Sequence, residues 1–169
     1  MSANSAPALD PQIGPGVPPP ECEAPAVFGR AVAATARLAG ARVLVVEDNE
    51  DCRELICGLL TMAGATVLGV ESVAQAMHGV YHSFDPDVVL TDFSMPDADG
   101  LDLIREFRQA PSTRAVAIPI LILSGHSEDH WRMLALQAGA ADFLTKPFDG
   151  AFLVGRIAAA VAPGRSGPH

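Results

Sequence analysis

In RVLVVEDNE, residues 42–50, four apolar residues run without polar alternation into a cluster of acids. A strand with one wet face alternates apolar and polar side chains, whereas a strand covered on both faces reads as a continuous apolar run. This stretch therefore predicts a buried strand of a parallel sheet, with Glu47 and Asp48 delivered at its carboxyl end. Downstream, Cys52, Leu55, Ile56, Leu59, Leu60 and Ala63 recur at helical spacing and stop at Gly64.

The same alternation of periods continues to residue 162. ATVLGV (65–70), DVVLT (87–91), IPILIL (118–123) and DFLT (142–145) read as four more strands. Between them lie helical stripes at Val73, Ala76, Met77, Val80 and Phe84, then at Leu101, Ile104 and Phe107. A further stripe at Trp131, Leu134, Ala135 and Ala138 precedes the last strand, and Leu153, Ile157, Ala160 and Val161 follow it. Five β-α units with short connections imply a flavodoxin-like (βα)5 doubly wound α/β sandwich. Right-handed crossovers favour a five-stranded parallel sheet in the order 2-1-3-4-5.

Outside this block the composition changes. Seven of the 14 prolines precede residue 40, and proline removes a backbone donor and fixes φ. Residues 1–40 are read as a disordered Pro/Ala-rich arm with a candidate short helix at 27–39, and residues 163–169 as a disordered tail. The 169-residue chain is 49% apolar with mean hydropathy +0.26, which excludes wholesale disorder. No run approaches the ~20 apolar residues of a membrane span. A formal charge of −9 argues against gripping phosphate backbones, and no basic recognition helix is present, so direct DNA binding is not expected. Three cysteines without zinc spacing and no basic-apolar leader point to a reducing, cytoplasmic setting.

In open α/β sheets, ligands bind beyond the carboxyl ends of the strands. Those ends carry Glu47 and Asp48, Asp92, Ser124, and Lys146 followed by Pro147. Three carboxylates on one rim repel one another unless a cation intervenes, and Mg2+ suits one or two carboxylates, waters and a phosphate. Lys146 is the only lysine among eleven basic residues. Its compact ammonium matches a single phosphoryl or carboxylate oxygen better than a guanidinium fork does.

The pieces VLVVEDNE (43–50), VVLTDFSMPDADGL (88–101), ILILSGH (120–126) and AGAADFLTKPF (138–148) together resemble the receiver domain of two-component response regulators. Asp48 to Asp92 is 44 residues, Asp92 to Ser124 is 32, and Ser124 to Lys146 is 22. The resemblance implies that Asp92 is the phospho-acceptor, receiving phosphate from a histidine kinase or histidine phosphotransfer protein. It implies Mg2+, with Mn2+ as a substitute, on Asp48, Asp92 and the Ser94 backbone carbonyl, with Glu47 acting through a metal-bound water. Ser124 and Lys146 would hold the phosphoryl oxygens, with Phe143 as the aromatic switch that rotates inward when Ser124 moves. Ser94 and His126 would tune the lifetime of the acyl phosphate, and Lys146-Pro147 would be a cis peptide. Glu47, Ser124 and Phe143 stand where aspartate, threonine and tyrosine are commoner in the family.

The implied function is a single-domain response regulator that signals by protein contact and turns over no separate substrate. Its target would meet the face formed by the Trp131 helix, the 142–145 strand and the final helix, where Met133 and Leu136 fall off the core stripe. The chain would be a monomer or a phosphorylation-dependent dimer. The alternatives are a phosphorylation-independent interaction module of the same fold and the receiver piece of a hybrid histidine kinase. His78 and His82, one helical turn apart, read as solvated surface residues.

Overall fold

The computed structural model describes residues 37–161, except 97 and 112, together with the backbone but not the side chains of 113 and 114. The arm at 1–36 and the tail at 163–169 lie outside the described residues. Five strands, β1 (Arg42–Val46), β2 (Thr66–Val70), β3 (Val88–Asp92), β4 (Ile120–Ser124) and β5 (Asp142–Thr145), form one sheet in the order β2-β1-β3-β4-β5. Every pairing is parallel, with Val46 opposite Val70 and Thr91, and Ser124 opposite Thr145. The helices are α1 (Glu50–Met62), α2 (Val73–His82), α3 (Gly100–Gln109), α4 (Thr113–Ala117), α5 (Asp129–Ala138) and α6 (Gly150–Val161). None of the described helices is long and apolar enough to cross a membrane.

Alternation along each strand sorts the core into two layers. Val43, Val45, Leu90, Leu121 and Leu123 point toward α1 and α6, where Ile56, Leu60, Leu153 and Ile157 cover them. Leu44, Val46, Val89, Ile120 and Ile122 point the other way, toward Ala76, Leu103, Ile104, Phe107 and Ala135. Both faces are thus dry, which is why no strand shows a polar alternation.

Local chemistry sets the helix ends. The side chains of Asn49, Ser72 and Asp99 cap α1, α2 and α3, and Asp99 and Asp102 complete a reciprocal capping box. Gly139 ends α5 at φ 108°, a left-handed conformation that a side chain would strain.

Four details differ from the sequence reading. Strand β4 begins at Ile120 because Pro119 has no N–H to give the ladder; its carbonyl instead accepts from Val89 N at 3.0 Å. The five-residue α4 was not anticipated, being too short to show a period. In α3 the fully buried leucine is Leu103, while Leu101 is half-buried. Finally, residues 37–40 form a turn rather than the end of a helix, Leu38 is 1% exposed in the core, and its N–H donates to Ala63 O. The folded unit therefore reaches back to at least Arg37 instead of starting at residue 41.

Candidate functional site

The carboxyl ends of β1, β3, β4 and β5 converge on one rim. Glu47, the first residue beyond β1, is held by its own backbone, donating to Val70 O, and by Arg53, whose Nη1 donates to Glu47 O at 2.8 Å. Its carboxylate is almost fully buried yet has two partners: Asn49 N donates to Oε1, and Lys146 Nζ donates to Oε2 at 2.7 Å. Asp92 is the last ladder residue of β3, opposite Leu123. Its Oδ1 lies 2.7 Å from the same Lys146 Nζ, and its Oδ2 accepts from Ser94 N at 3.0 Å. One ammonium therefore ties together two buried carboxylates from two strands.

Asp48 is exposed, but a carboxylate oxygen from each of Glu47, Asp48 and Asp92 lies within 4.8 Å of the others. Lys146 balances one of these three negative charges. The residual charge and the purely oxygen donor set fit a hard divalent cation, as Mg2+ requires. The site could thus hold an ion on Glu47, Asp48 and Asp92.

Electrostatics follow from this arrangement. Burial pushes the Asp92 carboxyl above its ordinary value; the Lys146 ammonium pulls the other way, Glu47 adds to the rise, and Ser94 N–H opposes it. For Lys146, burial alone would favour the neutral amine. Hydrogen bonds and attraction from Asp92 and Glu47 more than reverse this and hold the ammonium above the usual lysine range. Among the described residues, no fully buried side-chain nitrogen or oxygen lacks a hydrogen-bond partner.

Ser124 is fully buried, and its Oγ accepts from His126 N at 2.9 Å. Lys146 N donates to Ser124 O, and the Lys146-Pro147 peptide is cis, as the resemblance implied. Gly100 shows why glycine follows the acidic loop: a Cβ there would meet Asp92 O at 2.9 Å and Phe93 Cα at 3.3 Å.

Phe143 is buried in the core layer that faces α3 and α5. Its ring is only 3% exposed and packs edge-on against Phe93 at 6.3 Å. It occupies the inward position with Ser124 Oγ engaged by His126 N. A phenyl ring has no hydroxyl to favour an outward position, and burial of its apolar surface is favourable by about 1.5–3 kcal/mol.

Two features escaped the sequence reading. Cys52, assigned there to the core stripe of α1, packs against that core and also lies within reach of the rim; burial first and Glu47 second push its thiol up to about 11. The second is an aromatic group beside Asp92. Phe93 contacts Trp131 at 5.2 Å and His126 at 6.3 Å, and His126 lies 5.8 Å from Trp131. The signal for it was the position of Phe93, next in sequence to the rim carboxylate.

Comparison with known proteins agrees with this geometry. Residues 43–158 match the model of the response regulator receiver domain. The phosphate regulon transcriptional regulatory protein PhoB of Pseudomonas aeruginosa is 36% identical over 131 residues, covering 78% of this chain and 55% of PhoB. The KDP operon transcriptional regulatory protein KdpE of Escherichia coli is 35% identical over 106 residues, covering 63% of this chain and 44% of KdpE. The chain thus spans about half the length of these curated relatives. Among solved structures, the signal receiver domain of a signal transduction histidine kinase from Syntrophus aciditrophicus superposes with TM-score 0.68 at 26% identity, covering 76% of this chain and 96% of that one. The chemotaxis response regulator CheY4 of Vibrio cholerae shares the fold, with TM-score 0.66 at 24% identity, covering 72% of this chain and 99% of CheY4.

Proposed function

Because the chain belongs to the response regulator receiver domain family, matched over residues 43–158, we propose that Asp92 accepts a phosphoryl group from a histidine kinase or histidine phosphotransfer protein. A carboxylate oxygen of Asp92 attacks phosphorus, the N–P bond to the donor imidazole breaks, and that nitrogen keeps the bonding pair and takes up a proton. The observation that carries this reading is the single ammonium of Lys146 seated between Asp92 and Glu47, beside Asp48, at four strand ends.

Glu47, Asp48 and Asp92, with the Ser94 backbone carbonyl, would hold Mg2+ or Mn2+, which neutralises charge during transfer. Lys146 and Ser124 would each bind one phosphoryl oxygen, so catalysis is positioning and charge neutralisation. No separate substrate is turned over. Ser94 and His126 flank the acceptor, Ser94 through its N–H to Asp92 Oδ2 and His126 through its N–H to Ser124 Oγ. That placement supports a role in setting acyl-phosphate lifetime. Met133 and Leu136, both exposed on α5, support a target-binding face built from α5, β5 and α6, in a cytoplasmic protein that acts by protein contact.

The test is incubation with acetyl phosphate and Mg2+ followed by intact mass. A gain of one phosphoryl group is expected, lost in Asp92→Asn and in the presence of EDTA. No gain in the unsubstituted chain would instead favour a phosphorylation-independent interaction module.

A further inference from the structure

A second concave feature lies beside the phosphoacceptor rim. A half-open cavity of roughly 700 Å³ separates the start of α2, the loop between β3 and α3, and the Asp48 rim. Val73, Met77, Met95 and Ala98 line it as apolar surface, while Asp48, Glu71 and Glu106 edge it with carboxylates. Its size falls within the ~300–1,000 Å³ range of pockets that take a ligand or a few side chains. Half-buried methionines give it an adaptable wall, since thioether side chains repack at low cost.

The cavity's charge is one-sided. Among the described residues no basic side chain lines it, and none forms an ion pair with Asp48, Glu71 or Glu106. Gln75 Nε2 donates to Glu71 Oε1 at 2.8 Å, which orients that carboxylate without neutralising it. Lys146, the cation of the rim, is engaged with Glu47 and Asp92 instead. An occupant that complements both the wall and the edge must be apolar in body and cationic at its tip.

We propose that this cleft receives a segment of the phosphohistidine-bearing partner in which an arginine or lysine stands beside a large aliphatic side chain. The proposal rests on the phosphoacceptor reading, because Asp48 belongs both to the cleft and to the carboxylate group around Asp92. A partner that inserts its basic side chain here is anchored next to the reacting carboxylate. The aliphatic neighbour covers Met77 and Met95, and the basic tip faces Glu71 and Glu106. Small phosphodonors such as acetyl phosphate have nothing to place in the cleft and do not depend on it.

The full chain carries five methionines, Met1, Met62, Met77, Met95 and Met133, so methyl NMR with 13C-labelled methionine reads the cleft directly. The probe is the peptide acetyl-Leu-Arg-Leu-Leu-Arg-Leu-amide. Saturable movement of the Met77 and Met95 signals is expected, with Met62 and Met133 unmoved. Replacing both peptide arginines by glutamine, or its leucines by serine, is expected to weaken binding at least tenfold. The double variant Glu71→Lys, Glu106→Lys is expected to do the same while still taking phosphate from acetyl phosphate at the unsubstituted rate. No movement of Met77 and Met95 at millimolar peptide, equal binding by either control peptide, or movement of Met133 in their place would overturn the proposal. Failure of the unsubstituted chain to take phosphate from acetyl phosphate would overturn the phosphoacceptor reading instead.

Discussion

Replacing Lys146 by methionine removes a charge and little volume, and so isolates what the ammonium does. Nζ lies 2.7 Å from both Glu47 Oε2 and Asp92 Oδ1, whose side chains are 3% and 9% exposed against 26% for the lysine. Breaking a buried pair from one side costs about 3–5 kcal/mol; a quarter-exposed ammonium brings the expected loss of folding stability at neutral pH to about 2 kcal/mol. The effect on a divalent cation has the opposite sign. A unit charge and a dication held within several ångströms repel by about 1–2 kcal/mol even at the dielectric constant of water. Lys146→Met is therefore expected to bind Mg2+ about tenfold more tightly, while phosphoryl uptake from acetyl phosphate collapses. Trp131, the single tryptophan of the chain, touches Phe93 next to Asp92 and serves as the reporter in a fluorescence titration with MgCl2 at constant ionic strength, with calorimetry alongside. Unchanged or weaker Mg2+ binding would show that the ion does not sit among these carboxylates.

Gly100→Ala should slow phosphoryl uptake at least tenfold in an intact-mass time course, because the added Cβ meets the backbone of Asp92 and Phe93, which cannot swing aside. Without metal, the Asp92 carboxyl is expected to titrate above the ordinary aspartate value in carboxyl 13C NMR over a pH series, since burial raises it. Lys146→Met removes the ammonium that opposes this rise and should move that metal-free titration midpoint higher still. The same raised value means that Asp92's contribution to stability is fully present below the unfolded-state pKa and is lost as pH rises through the folded one. Arg108→Met is expected to lower stability by about 2–3 kcal/mol in urea unfolding and to leave uptake unchanged, because this guanidinium donates to Val116 O, Ile118 O and Gly139 O far from the rim. Cys52, with its thiol pushed up to about 11, should react with iodoacetamide at neutral pH about two orders of magnitude more slowly than free cysteine, as followed by peptide mapping.

Most of the architecture was legible because both faces of the sheet are dry. A doubly covered strand cannot alternate, so RVLVV and DFLT announced β1 and β5 with the limits observed. Where one residue's backbone chemistry overrode the hydrophobic pattern, the reading slipped: Ile118 is apolar and buried, yet Pro119 keeps it out of the ladder. The rim carboxylates and Lys146 were legible for a related reason, since strand ends in a parallel sheet share one edge. What could not be read was which charges meet. Lys146 and Glu47 are 99 residues apart and join through a side-chain geometry that no local pattern encodes. Cys52 was invisible because the first turn of α1 serves the core and the rim together, and apolar periodicity does not separate the two.

The pairing of Lys146 also alters the electrostatic argument drawn from composition. Three acids on one rim repel one another unless cations intervene; in the structure an ammonium already compensates one of them, leaving a deficit that a single divalent cation would cancel. An ammonium has three N–H donors, of which Glu47 and Asp92 occupy two. The third remains for an oxygen arriving at Asp92, so Lys146 can meet a phosphoryl group without releasing either carboxylate. Ser124 stands differently: its Oγ lone pair is taken by His126 N–H, but a serine hydroxyl retains its own proton to donate. A spare donor at the ends of two neighbouring strands, β4 and β5, makes this a site in which charge is pre-arranged. On the phosphoacceptor reading, a phosphoryl oxygen drawn to Ser124 would compete with its contact to His126, whose ring lies 5.8 Å from Trp131 on α5.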